Sequence, residues 1–232
     1  SNVVLQQAYV EGRWLHGTLS IGAKERPMNL KDNRLSSGSQ TLGINARPVP
    51  QVRLALEDYW KVPFTGGWVQ LKGHVAYGIM TDDSWQHEFT SKRSRYADNV
   101  LYHSKAGFIR IGSDPYMHPL SLELGLEMAS QFGGKSYLPN GDGTVSVING
   151  NTSLKGYWNA FVPGGKDITD GENYKNAEGN QLGSWHFMLT WQRPTWAVKA
   201  YAEHFFEDES QMFLDYGWKD MLWGLEINLP RN

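Results

Sequence analysis

From Leu120 to Ala129 the chain reads Leu-Ser-Leu-Glu-Leu-Gly-Leu-Glu-Met-Ala, apolar at every second position and polar or small between. Such alternation turns successive side chains to opposite faces of a β-strand, one apolar and one polar. The run covers about ten residues, the length at which a tilted strand crosses the hydrocarbon of a bilayer. A mean hydropathy of −0.50 does not argue against this, because lipid-facing and interior-facing residues cancel along each strand of a transmembrane barrel. A bundle of membrane helices is excluded, since no stretch approaches 18 uninterrupted apolar residues.

The same phasing recurs along the chain. Between Trp68 and Met80, Val69, Leu71, Val75, Tyr77 and Ile79 oppose Gln70, Lys72 and His74. Val52, Leu54 and Leu56 oppose Arg53 and Glu57, and Ile109 and Ile111 oppose Phe108 and Arg110. Phe187, Leu189 and Trp191 run down to a turn at Arg193-Pro194-Thr195, and Trp196, Val198, Ala200 and Ala202 return, with Lys199, Tyr201 and Glu203 on the other face. Trp185, Trp191 and Trp196 are expected near the ends of that apolar stripe, as in an interfacial aromatic girdle. Met221, Trp223, Leu225 and Ile227 alternate with Gly224, Glu226 and Asn228 close to the end of the chain, which suggests an internal piece of a longer protein.

Two stretches lack the alternation. Residues 28–49 are rich in Asn, Ser, Gly and Pro. Residues 133–183 read as polar, Gly-rich loops around one short helix, marked by Leu154, Tyr157, Trp158 and Phe161 and ended by Pro163-Gly164-Gly165. Long structured loops at one end of a barrel, or a lid on a soluble sandwich, both read this way.

Charge narrows the partners. With 22 basic and 24 acidic residues the net charge is −2, so no basic face invites nucleic acid. The chain has no cysteine, which removes disulfides and thiolate metal sites. Its ten tryptophans suit either a membrane girdle or sugar-stacking platforms.

No motif for catalysis or a cofactor stands up to its own spacing. Glu123 and Glu127 suggest a retaining glycosidase, and the Glu-Leu-Gly-Leu-Glu run resembles the Glu-x-Asp-x-Glu strand of laminarinase-type glucanases, with Gly125 in place of the central Asp. The chemistry needs carboxyl groups about 5–5.5 Å apart, whereas four residues of strand span roughly 13 Å. Gly133-Gly134-Lys135-Ser136 lacks the earlier glycine of a phosphate loop, and Asn140-Gly141-Asp142-Gly143 lacks most ligands of a calcium loop. His186 and His204 fall on different strands without the pattern of a zinc site, so no metal or cofactor is expected. Asp82, Asp83 and Trp85 after a strand, and Trp218 beside Lys219 and Asp220, remain as glycan-type ligand groups: an aromatic plane next to carboxylates. Lys72, His74, Glu123, Glu127, Lys199, Glu203 and Glu226 are expected to share one polar, lumen-facing side.

Taken together, Arg34-Leu35-Ser36-Ser37-Gly38-Ser39, Pro48-Val49-Pro50-Gln51-Val52-Arg53, Gly73-His74-Val75-Ala76-Tyr77-Gly78, Asn99-Val100-Leu101-Tyr102-His103-Ser104-Lys105, Gly179-Asn180-Gln181-Leu182-Gly183-Ser184-Trp185 and Glu203-His204-Phe205-Phe206-Glu207-Asp208 form a distinctive set. In these stretches the chain resembles the Wzi-type capsule assembly proteins of Gram-negative bacteria, in the form found in gut anaerobes. The likeness runs through nearly all of the chain. It implies an outer-membrane barrel of about eighteen strands, surface assembly or attachment of capsular polysaccharide, and no catalytic activity. The partners it implies are surface polysaccharide, outer-membrane lipid and other envelope proteins.

The expectation is therefore an all-β, antiparallel transmembrane barrel formed as one domain over residues 1–232, with eight or nine strands supplying roughly half the wall. A porin-like channel and a soluble glycan-binding or glycan-cleaving β-sandwich are the alternatives.

Overall fold

The structure is a computed structural model that describes residues 5–36, 38–82, 84–90, 93–112, 117–162, 180–207 and 221–229. Along the chain run β1 (Ala8–Trp14), β2 (Gly17–Ala23), β3 (Gln51–Lys61), β4 (Val69–Ile79), α1 (Trp85–Thr90), β5 (Tyr96–Asp98), β6 (Leu101–Ile111), β7 (Leu120–Phe132), β8 (Lys135–Pro139), β9 (Val145–Asn149), α2 (Leu154–Phe161), β10 (Asn180–Gln192), β11 (Ala197–Glu207) and β12 (Met221–Asn228). Nine of these strands form one antiparallel sheet in the order β1-β2-β3-β4-β6-β7-β10-β11-β12, and β5, β8 and β9 form a small second sheet.

Each strand of the large sheet pairs with the next strand of that sheet along the chain, and alternation decides which residues share a face. Glu123 on β7 lies opposite Arg110 on β6 and Met188 on β10; Glu127 lies opposite Ala106 and Ser184. His186 faces Glu203 on β11, and Lys199 faces Glu226 on β12. The polar phases of neighbouring strands therefore merge into one face. The apolar phases merge on the other, where Val10, Leu54, Leu120, Leu189, Trp223 and Ile227 are all exposed.

The two ends of the sheet differ. At one end the strands are joined over residues 15–16, 62–68, 112–119 and 193–196; at the other they are joined over 24–50, 80–100, 133–179 and 208–220. Trp14, Trp68, Trp191 and Trp196 lie in or beside the short connections and are partly exposed, and the Trp191 and Trp196 rings are 6.0 Å apart. Trp185, expected in the same girdle, instead pairs with Leu126 and His204 in the middle of the wall.

The sheet is curled with its polar face inward. Residues of β3 and β11, about 24 Å apart across a flat sheet of that strand spacing, line one cavity of about 950 Å³. Between Leu56 and Trp60 the register of β3 on β4 shifts at a bulge, and Glu57 and Tyr59, in phase with Arg53 and Ala55, both line this cavity.

Among the described residues β1 pairs only with β2 and β12 only with β11, so the wall is open and the expected barrel closure is not seen. Nine strands in antiparallel succession leave β1 and β12 running in the same direction. Closing this wall with antiparallel pairs throughout requires a further odd number of strands between those edges.

The expected short helix is α2, and it packs on the outside of the wall rather than over its end. The last carbonyls of a helix lack intrahelical partners. Here strand side chains supply them: Gln181 Nε2 donates to Asn159 O at 2.9 Å, Ser130 Oγ to Ala160 O at 3.4 Å and Lys105 Nζ to Phe161 O, while the Tyr77 hydroxyl donates to Tyr157 O at 3.1 Å. That contact explains why Lys105, Ser130 and Gln181 are polar residues in the apolar phase of β6, β7 and β10.

Candidate functional site

The concave polar face is occupied by the chain itself. Residues 24–50 have no hydrophobic alternation to pair as a strand, but they carry donors that match the carboxylates of the wall. Arg26 donates to Ser20 Oγ at 2.6 Å and to Glu57 at 3.2 Å, next to β2 and β3. Asn29 Nδ2 donates to Glu127 at 2.6 Å. The Lys31 ammonium pairs with Glu203, both groups fully buried, and also reaches Gly38 O at 3.2 Å. The backbone N–H of Asp32 donates to Glu226 at 2.8 Å, and Ser39 Oγ and Gln40 N each donate to Glu203 at 2.8 Å. One segment thus touches β2 at one end of the wall and β12 at the other.

At the centre of this plug the His186 ring lies 3.3 Å from Glu127 and 3.7 Å from Glu203, with Ser184 Oγ 2.9 Å away and Thr41 donating on to Ser184 at 2.8 Å. Carboxylates this deeply buried are tolerated only when their lone pairs are taken up. Glu203 accepts from Lys31, Ser39 and Gln40.

Between the plug and the short turns the 950 Å³ cavity remains, lined by Leu30, Tyr59, Lys72, Arg110, Glu123 and Lys199 among others. Glu123 accepts from the Tyr59 hydroxyl at 2.6 Å and from Arg110 at 3.1 Å. The Arg110 guanidinium stacks 3.9 Å from the centre of the Tyr59 ring. Lys72 Nζ sits 5.1 Å from the Tyr59 ring and 5.2 Å from the Phe108 ring. Lys199 lies 3.7 Å from Glu226. The result is a cleft with hydroxyls, amides and ammonium groups on its wall, in which Glu57 and Glu123 are already engaged.

The seven residues expected on one polar side, Lys72, His74, Glu123, Glu127, Lys199, Glu203 and Glu226, lie on the same face of the sheet, but they divide among separate environments. Glu127, Glu203 and Glu226 bind the plug, Glu123, Lys72 and Lys199 line the cleft, and His74 bonds Ser104 Oγ at 3.2 Å in the wall. The pair Glu123 and Glu127 belongs to two different networks. Between them Gly125 lies under the Phe108 ring, which comes within 2.1 Å of where a Cβ would stand. Gly125 thus makes room for an aromatic side chain.

Of the glycan-type candidates, Asp82 and Trp85 are neighbours, the Trp85 N–H donating to Asp82 O at 3.0 Å. Asp82 caps α1, its carboxylate accepting from the N–H groups of Ser84 and Gln86, each at 3.1 Å. Trp85 is exposed and stacks on Phe89 at 4.9 Å. Asp83 and Trp218 lie outside the described residues.

The chain matches no family model, no curated protein and no solved structure. Among the described residues no group of three His, Asp or Glu side chains suits a metal ion. Sequence reasoning missed Asn29, Lys31, Ser39, Tyr59, Arg110 and His186 as site residues. The one available signal was negative: a connection as long as 24–50 with no pattern of its own has to be used for something.

Proposed function

We propose that this chain forms part of the wall of a plugged outer-membrane β-barrel that works without catalysis in the assembly or attachment of capsular polysaccharide at the surface of a Gram-negative bacterium. The observation that carries the barrel is the division of the nine strands of the large sheet into an exposed apolar face and a concave polar face filled by residues 24–50. Short connections at one end and long ones at the other agree with the usual asymmetry of outer-membrane barrels. The polysaccharide comes from the resemblance to Wzi-type proteins, and the donor-rich cleft beside Lys72 is compatible with it.

The porin-like alternative is disfavoured by the plug, whose bonds to Glu127, Glu203 and Glu226 cross the interior. The catalytic alternative is disfavoured because Glu123 and Glu127 are each held by other partners. The test is in cells. Deleting the protein is expected to leave polysaccharide made but shed into the medium, measured by capsule staining of washed cells against culture supernatant. An unchanged capsule, or extraction of the protein by plain buffer without detergent, overturns the reading.

A further inference from the structure

The side of α2 that faces away from the wall is apolar. Gly156 and Ala160 are buried against the strands, while Leu154, Trp158 and Val162, spaced four residues apart, are 89 %, 63 % and 38 % exposed. Lys155 occupies the neighbouring flank and is exposed. A soluble surface helix held this firmly by its carbonyls normally turns polar residues outward.

The position of α2 on the wall says what covers it. From Leu120, beside the short turns, to Ser130, beneath α2, the chain advances ten residues of β7. That is about 34 Å of strand, or roughly 25 Å of height at the usual tilt of a barrel strand, the height of an outward apolar band. Below the helix the outer phase continues without a break through Leu126, Leu124 and Leu122 on β7. α2 therefore lies where the apolar band ends, on the side of the long loops, and its exposed stripe extends that band.

We propose that α2 is an interfacial helix that buries Leu154, Trp158 and Val162 at the boundary between acyl chains and headgroups of the surrounding bilayer. Trp on an apolar helix face beside a Lys flank is the composition such helices use. Lys105, Ser130 and Gln181 act as the clamp that fixes the helix at this depth, by taking its free carbonyls out of the low-dielectric boundary. The proposal rests on the barrel reading, and its test keeps the two apart.

Because the natural chain has no cysteine, single nitroxide labels can be introduced at Trp158→Cys, Leu154→Cys and, in the middle of the apolar band, Leu124→Cys. With the full chain in phosphatidylcholine vesicles, relaxation by oxygen, which concentrates in lipid, is compared with relaxation by a water-soluble nickel chelate. The expected result is oxygen exceeding nickel several-fold at 154 and 158 as at 124. Nickel dominating at 154 and 158 while oxygen dominates at 124 overturns the interfacial helix and leaves the barrel standing. Low access to both reagents at 154 and 158 also overturns it, because a protein segment then covers the helix. Nickel dominating at all three sites overturns the barrel itself. Leu154 and Trp158 report independently, so a variant that fails to fold does not decide the outcome.

Discussion

The side chain that accounts for Gly125 is Phe108, whose ring occupies the space above it, just as the Tyr201 ring occupies the space above Gly224 on the same polar face. Gly125→Val is expected to cost about 1–3 kcal/mol through overpacking, read as a shift in the urea midpoint in detergent. Phe108→Ala in the same chain should recover part of it. Lys31 and Glu203 are a buried pair, so Lys31→Met leaves Glu203 without its cation and is expected to cost about 3–5 kcal/mol in the same assay; Lys31→Met with Glu203→Leu should cost less than the single change. Asp32 behaves differently because it is only half-buried. The Arg34 guanidinium and its backbone N–H hold the Asp32 carboxyl down to about 2, from an ordinary 3.8. A carboxyl depressed on folding adds stability above its unfolded value and loses it as pH falls through the folded one. The local order around Asp32 is therefore expected to hold above about pH 4 and to weaken between about pH 4 and 2, followed by protease cleavage after a brief acid step, and Asp32→Asn should remove that dependence.

The strands were the most legible elements and the connections the least. β4, β7, β10, β11 and β12 follow the alternation of their residues almost from end to end. β6 begins at Leu101, earlier than its clean pattern, because His103 and Lys105 in its outer phase meet α2 and not solvent or lipid. β1 and β2 are short, with Gly12, Gly17 and Gly22 diluting the signal. The plug was invisible as an element because each of its contacts is a single side chain or N–H reaching a carboxylate far away in sequence, as between Asn29 and Glu127 or Lys31 and Glu203. Its role predicts a specific result. Replacing residues 26–41 by a flexible Gly-Ser linker should convert a closed protein into a conducting one in planar bilayers, and conductance equal before and after the replacement would show that the plug does not close the interior.

At the scale of the whole molecule, an apolar face this wide needs a non-aqueous neighbour. Leu124 lies in its middle and Trp191 near its edge at the short turns. In lipid, Leu124→Arg is expected to destabilise by about 2–4 kcal/mol and Trp191→Arg by about 0–1 kcal/mol, measured by unfolding from vesicles. Equal costs at the two depths would argue against a bilayer around the wall. The parity of the sheet bears on the same scale. Since β1 and β12 run in one direction, pairing them directly gives a parallel contact, and an even, fully antiparallel barrel needs an odd complement of strands beyond these nine.

Alternation alone determined that the chain is β and which residues share a face, because a strand's period of two assigns every side chain to one side or the other. The division of the polar side chains was decided only in three dimensions. Glu123 and Glu127 are equivalent in sequence, yet one joins Tyr59 and Arg110 at the cleft and the other joins Asn29 and His186 under the plug. Which buried charge meets which partner depends on where a loop without periodicity crosses the sheet, and local pattern carries no record of contacts made 98 or 172 residues away.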